Sequence, residues 1–132
     1  MPRGYSHENT CVHLMNYHFV FCPKYRKHIL IDKVKMRLEK LIAEKTQELG
    51  CEIIELQVMP DHVHLFLAAT PILSPNKVIG QIKGYSSKKL REEFNWLKRS
   101  LPTLWTRSYF VSTAGNVSSD TIQRYIEEQT GK

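Results

Sequence analysis

Residues 52 to 69 constrain the fold more than any other stretch of the chain. From Glu52 to Val58 the sequence alternates, with Ile54, Leu56 and Val58 on one face and Glu55 and Gln57 on the other. Met59-Pro60-Asp61 then supplies a turn, and His62 to Ala69 reads as a returning strand. Two such runs joined by so short a turn form a β-hairpin. Strands alternate their side chains, so Val63, Leu65 and Leu67 share one face and His62 and His64 share the other. The apolar set belongs against helices, which turns both histidines to the opposite side, spaced to reach one ion.

The flanking segments complete a recognisable order. Cys11 to Cys22 is rich in β-branched and aromatic residues, ends at Pro23, and carries apolar residues on both faces, as a strand near the middle of a sheet does. A basic, aromatic loop follows, Pro23-Lys24-Tyr25-Arg26-Lys27-His28. Val34, Leu38, Leu41, Ile42, Lys45 and Leu49 then keep helical spacing, with Asp32 as expected N-cap and Gly50 just past the end. Ser74-Pro75 opens a second helix whose inner stripe is Ile79, Ile82, Ser86, Leu90, Phe94 and Leu97. After a loop around Pro102, Ser108 to Thr113 forms a fourth strand, and Ser118 or Ser119 caps a last helix running to about Gln129. The order β-α-β-β-α-β-α contains the split βαβ pattern, so the expected class is α+β: a ferredoxin-like (RRM-like) antiparallel sheet with helices on one face and a C-terminal helix added. The opposite sheet face is left open for a ligand or partner.

Size and composition fit this. The 132 residues suit a single domain, 1–132, and 42% hydrophobic with 24% charged is ordinary for a globular protein. No run approaches roughly 18 consecutive apolar residues, and the polar start lacks a signal-peptide core, so a cytoplasmic protein without a membrane partner is expected. Cys11, Cys22 and Cys51 are too few and wrongly spaced for a disulfide framework or thiolate zinc site, which makes buried free thiols the better reading. A net charge of +6 points to an acidic partner, most often nucleic acid.

Chemistry has few places to reside. Two histidines alone make a poor metal site, and a bare His-x-His is commonly just two surface histidines. The last helix offers more: Ile122, Tyr125, Ile126 and Gln129 share one face, with Tyr125 and Gln129 one turn apart. Together with the strand, that helix can deliver an oxygen ligand and a nucleophile. Two nitrogens and an amide oxygen suit Mg²⁺ or Mn²⁺ acting as a Lewis acid, although ligand softness also permits zinc. Asp61 either orients a histidine or is a plain turn residue. There is no Gly-x-x-x-x-Gly-Lys loop and no Gly-x-Ser-x-Gly elbow, so no nucleotide cofactor is expected. Phe66 stands where a histidine-triad hydrolase would need a third histidine. Cations mix with aromatics at Lys24, Tyr25, Arg26 and Lys27, at Lys83, Tyr85, Lys88 and Lys89, and at Trp105 and Arg107, a mixture that suits single-stranded nucleic acid.

These pieces resemble a known family. Tyr17-His18-Phe19-Val20-Phe21-Cys22-Pro23-Lys24-Tyr25-Arg26, Met59-Pro60-Asp61-His62-Val63-His64-Leu65, Lys83-Gly84, Leu104-Trp105-Thr106-Arg107-Ser108-Tyr109 and Gln123-Arg124-Tyr125-Ile126-Glu127-Glu128-Gln129 run in the order of the single-tyrosine transposases of the HUH nuclease superfamily. Those enzymes serve small insertion sequences that move as single-stranded DNA. The resemblance implies that His62, His64 and Gln129 hold the metal and that Tyr125 is the nucleophile. It implies a homodimer that binds DNA hairpins near element ends, with the tyrosine helix completing the partner's site in some members. The REP-associated relatives typically carry a longer C-terminal extension, so the shorter insertion-sequence type is expected. A non-catalytic nucleic-acid-binding module of the same fold, a rolling-circle replication initiator or relaxase, and a phosphohydrolase using water are the competing readings.

Overall fold

The computed structural model describes residues 14–113 and 117–129. Four antiparallel strands, β1 (Met15–Phe21), β2 (Glu52–Met59), β3 (His62–Ala69) and β4 (Phe110–Ser112), form one sheet in the order β2-β3-β1-β4. The helices are α1 (Asp32–Glu48), α2 (Pro75–Glu93), a short α3 (Asn95–Ser100) and α4 (Ser119–Glu127). This is the α+β class and split βαβ order expected from the sequence. β1 lies between β3 and β4, which its two apolar faces require. Tyr17, Phe19 and Phe21 point into the main core, while His18, Val20 and Cys22 are buried on the other side. The part of the expected first strand at residues 11–13 lies outside the described residues.

The main core joins Phe19, Phe21, Val63, Leu65 and Leu67 of the sheet to Leu38, Leu41 and Ile42 of α1 and to Ile79, Ile82 and Leu90 of α2. Ser86 lies on that apolar stripe without an unmet polar group: its hydroxyl donates to the Ile82 carbonyl at 2.7 Å and accepts from the Trp105 indole at 3.1 Å. Ser74 caps α2 by accepting from the Lys77 amide, with Pro75 in the first turn, as the sequence indicated.

Four details depart from the sequence reading. Ile54 does not join Leu56 and Val58. The β2–β3 register slips between Ile53 and Glu55, so Ile54 is the extra residue of a bulge and is 50% exposed, while Ile53 packs on the core. Asp32 does not cap α1. The extended residue before that helix is Ile31 (φ −134°, ψ 162°), which puts Asp32 inside the first turn, where its charge still favours the helix dipole. The second helix is broken at Phe94 (φ −123°, ψ 88°), so Leu97 reaches the core from α3. The far sheet face is not fully open either. α4 lies against it, with Ile126 packed on Val20 and Cys22 and flanked by Phe110, Ile122 and Tyr125. Among the described residues, no helix is long and apolar enough to cross a membrane.

Candidate active site

The alternation of β3 places the histidines. Val63, Leu65 and Leu67 are fully buried under the helices, which leaves His62, His64 and Phe66 on the α4 side, half-buried. Asp61, at the end of the β2–β3 turn, puts Oδ1 at 2.9 Å from His62 Nδ1. A carboxylate beside Nδ1 orients the ring and leaves Nε2 as the nitrogen open to a ligand, an arrangement common among metal-binding histidines. His64 Nε2 lies 3.1 Å from His18 Nδ1, and the His18 ring stacks on Phe66 with centroids 3.9 Å apart. Burial, then the neighbouring His18, hold the His64 imidazole below its ordinary pKa, which favours the neutral ring a metal ligand needs, although its Nε2 is paired with His18 in this arrangement. The sequence alone marks His18 only as part of a strand. Its placement on the Val20 face of β1, opposite Phe66 and beside His64, was the signal.

Between β2, β3 and α4 lies a cleft of about 320 Å³, bordered by Glu55, Gln57, His62, His64, Ile122 and Gln123. A larger cleft of about 600 Å³ at the start of α1 holds none of the candidate metal or nucleophile residues.

Tyr125 and Gln129 are held on the β4 side. The Tyr125 hydroxyl is 3.1 Å from Ser108 Oγ, and its ring lies 6.0 Å from Phe110. Ser108 Oγ donates to Gln129 Oε1 at 2.8 Å, so its single proton is committed and Tyr125 O–H is the donor to it. Gln129 is buried, and its Nε2 donates to the Tyr125 carbonyl. Burial pushes the Tyr125 phenol above its ordinary pKa, against the opposing hydrogen bonds of Ser108 and Thr106. Lys83 fixes this segment from beneath: Nζ donates to the Thr106 and Ser108 carbonyls at 2.7 and 3.0 Å, and burial lowers its pKa to about 8. Burial also pushes the Cys22 thiol up to about 12; it and Cys51 are buried free thiols.

The residues singled out in the sequence thus fall into two groups on one sheet face. Val20 pairs with His64 on one side and with Phe110 on the other, so the histidines and the Tyr125–Ser108–Gln129 cluster flank the central strand. Two imidazoles on one sheet face, one of them backed by a carboxylate, fit half of a divalent-metal site. Gln129 does not complete it in this arrangement, because its carbonyl oxygen is engaged by Ser108. Among the described residues, no group of three or more His, Cys, Asp and Glu side chains is arranged to hold a metal.

Of the basic and aromatic candidates, Tyr25, Lys27, Lys88 and Arg107 are exposed, Lys24 and Lys83 are partly buried, and Arg26 is bonded within the protein. Trp105 is a correction. Its ring is 5% exposed, packs edge-on against Phe21 at 4.8 Å and donates to Ser86, so it cannot stack on a base. Trp105→Ala is expected to cost about 3–5 kcal/mol in urea unfolding. Unchanged stability with lost DNA affinity would return that ring to the binding surface.

The model for the IS200-like transposases matches residues 11–129. The chain belongs to that family. It is 35% identical over 132 residues to the ISDra2 transposase TnpA of Deinococcus radiodurans, covering 98% of this chain and 90% of that one. It is 32% identical over 115 residues to the transposase for insertion sequence element IS200 of Salmonella typhimurium, covering 86% and 75% of the two chains. A crystal structure of a candidate transposase from Deinococcus radiodurans superposes with a TM-score of 0.86 at 34% identity, over 94% of this chain and 97% of that one. A REP-associated tyrosine transposase bound to a REP hairpin shares the fold, with a TM-score of 0.59 at 14% identity, over 92% of this chain and 68% of that one. As a member of the IS200-like family, the chain is a transposase of the HUH type.

Proposed function

We propose that this transposase cleaves and rejoins single-stranded DNA at insertion-sequence ends through a covalent 5′-phosphotyrosine on Tyr125, with His62 and His64 as ligands of a divalent metal, Mg²⁺ or Mn²⁺. The observation that carries the proposal is the sheet face itself, where Asp61-backed His62, neutral His64 and the helix bearing Tyr125 lie together. Bound at the histidines, the metal would polarise the scissile phosphate and offset its charge.

The remaining steps belong to the chain. Tyr125 loses its proton and its oxygen bonds to phosphorus; the P–O3′ bond breaks, and the departing 3′ oxygen takes up a proton. In the second step another DNA 3′-hydroxyl loses its proton and bonds to the same phosphorus. The tyrosine–phosphorus bond breaks and the phenol is regained. The number of phosphate ester bonds is conserved, so no nucleotide hydrolysis is needed. For Gln129 to become the third ligand, Ser108 must release it. Rotation of those two side chains away from Ser108, on an α4 kept at the sheet face and belonging to this copy or to a second copy in a homodimer, would bring Tyr125 and Gln129 to the histidines. Hairpin recognition is part of the same proposal, with the cations Lys24, Lys27, Lys88 and Arg107 available to phosphates.

Two solution properties follow. Because Tyr125 must ionise and its pKa is raised, the phenolate fraction grows with pH. The single-turnover rate of adduct formation is therefore expected to rise about tenfold per pH unit from about pH 7.5 to about pH 9. A flat profile would remove tyrosine ionisation from the slow step. DNA affinity should fall linearly with added salt on logarithmic axes, and a flat response would remove the phosphate contacts.

The test of the proposal is covalent trapping. Purified protein, labelled single-stranded DNA from both flanks of its gene and Mg²⁺ or Mn²⁺ should yield a protein–DNA band on a denaturing gel. Cleavage without that band would mean a water nucleophile, and binding without cleavage a binding module.

A further inference from the structure

The loop between β1 and α1 is held in a costly shape. Tyr25 and Arg26 are successive left-handed residues (φ 61° and 52°), and neither is glycine. Such backbone persists where its surroundings enforce it, often near functional sites. Here the enforcement is visible: the Lys24 amide donates to the Leu104 carbonyl at 2.8 Å, the Thr106 amide to the Cys22 carbonyl at 3.0 Å, and the Arg26 amide to the Pro23 carbonyl at 2.8 Å. The result is to point the Arg26 side chain inward.

Its guanidinium touches both halves of the candidate site. Nε lies 3.4 Å from Asp61 Oδ2, and the other oxygen of that carboxylate is the one at His62 Nδ1. Nη1 donates at 3.3 Å to the carbonyl of Ile126, the residue after Tyr125, in the last turn of α4. A cation there also complements the helix dipole. Two donors on separate edges of a rigid plane are needed for this, which arginine has and lysine lacks. His28 Nε2 lies 3.8 Å from the same Oδ2.

We propose that Arg26 is a positioning residue that ties the tyrosine helix to the histidine pair, holding Asp61 behind His62 with one edge and the end of α4 with the other. This rests on the function proposed above and gives Arg26 a task other than gripping a DNA phosphate.

The experiment compares Arg26→Gln, Arg26→Lys, Asp61→Asn and the Arg26→Gln/Asp61→Asn double variant with the unaltered full chain. Mn²⁺ binding is read by electron paramagnetic resonance without DNA, adduct formation in single turnover at saturating DNA, and DNA affinity without metal. Arg26→Gln should weaken Mn²⁺ binding and slow adduct formation by about 10–100-fold each, with DNA affinity little changed. Arg26→Lys should rescue neither, and it serves in place of Arg26→Gln if that variant does not fold. In the double variant, Mn²⁺ should bind no more weakly than in Asp61→Asn alone, because both changes cut the same link. Lost DNA affinity with an intact saturating rate and intact Mn²⁺ binding would overturn the proposal in favour of a phosphate contact. Additive effects in the double variant would overturn it as well. If the unaltered protein binds Mn²⁺ but forms no adduct, the proposed reaction fails, and the Mn²⁺ comparison still decides the link through Asp61.

Discussion

Tyr125→Phe is expected to lower strand cleavage by about 10⁴-fold or more while DNA binding persists. The size follows from what the substitution removes. The ring packs beside Phe110 and Ile126, and phenylalanine keeps that packing. Only the hydroxyl is lost, and its partner Ser108 still donates to Gln129. The stability cost should thus be about 1 kcal/mol, the worth of one hydrogen bond. A variant that folds, binds and does not cut isolates the nucleophile. Cleavage by Tyr125→Phe at the original rate would mean that water or another residue attacks.

His64→Ala is expected to reduce cleavage by about 10³-fold, the loss of several kcal/mol of charge stabilisation at the phosphate. His62→Ala should do the same and also takes one partner from Asp61, leaving Arg26 and His28 beside it. Neither change touches the main core, because both side chains lie on the α4 side of β3, so DNA binding and folding should survive. Both assays need excess metal, so that a weakened site is not confused with a lost one. Normal cleavage by either variant would remove the histidine pair from the reaction.

Periodicity carried most of the fold. The two apolar faces of the first strand put it inside the sheet, and the alternation after Pro60 put both histidines on one side. Periodicity failed where one residue changed the count. Ile54 is displaced by a bulge that no alternation pattern reveals, and Asp32 opens α1 with a left-handed φ of 51° after an extended Ile31, with no side-chain cap hydrogen bond. In sequence Trp105 reads as a stacking ring because Arg107 is close by. Its burial depends on Phe21 and Ser86, which are distant along the chain. The site was legible as a set of residues and not as an assembly. Helical spacing told which face of α4 is inward, but not that Tyr125 and Gln129 would meet Ser108 on one side of β1 with the histidines on the other. Ser108, Lys83 and His18 act through neighbours brought in by tertiary packing, so their partners had no local signature.

The most direct measurement is to find where DNA attaches. The adduct formed with Mg²⁺ or Mn²⁺ would be digested with nuclease and trypsin, which cuts after Arg124, and the peptide starting at Tyr125 would be examined by mass spectrometry. A phosphonucleotide on Tyr125, dependent on metal and missing in His64→Ala, is the expected result. A nucleotide on any other residue, or cleaved DNA with an unmodified Tyr125 peptide and no trapped protein, would contradict the tyrosine mechanism.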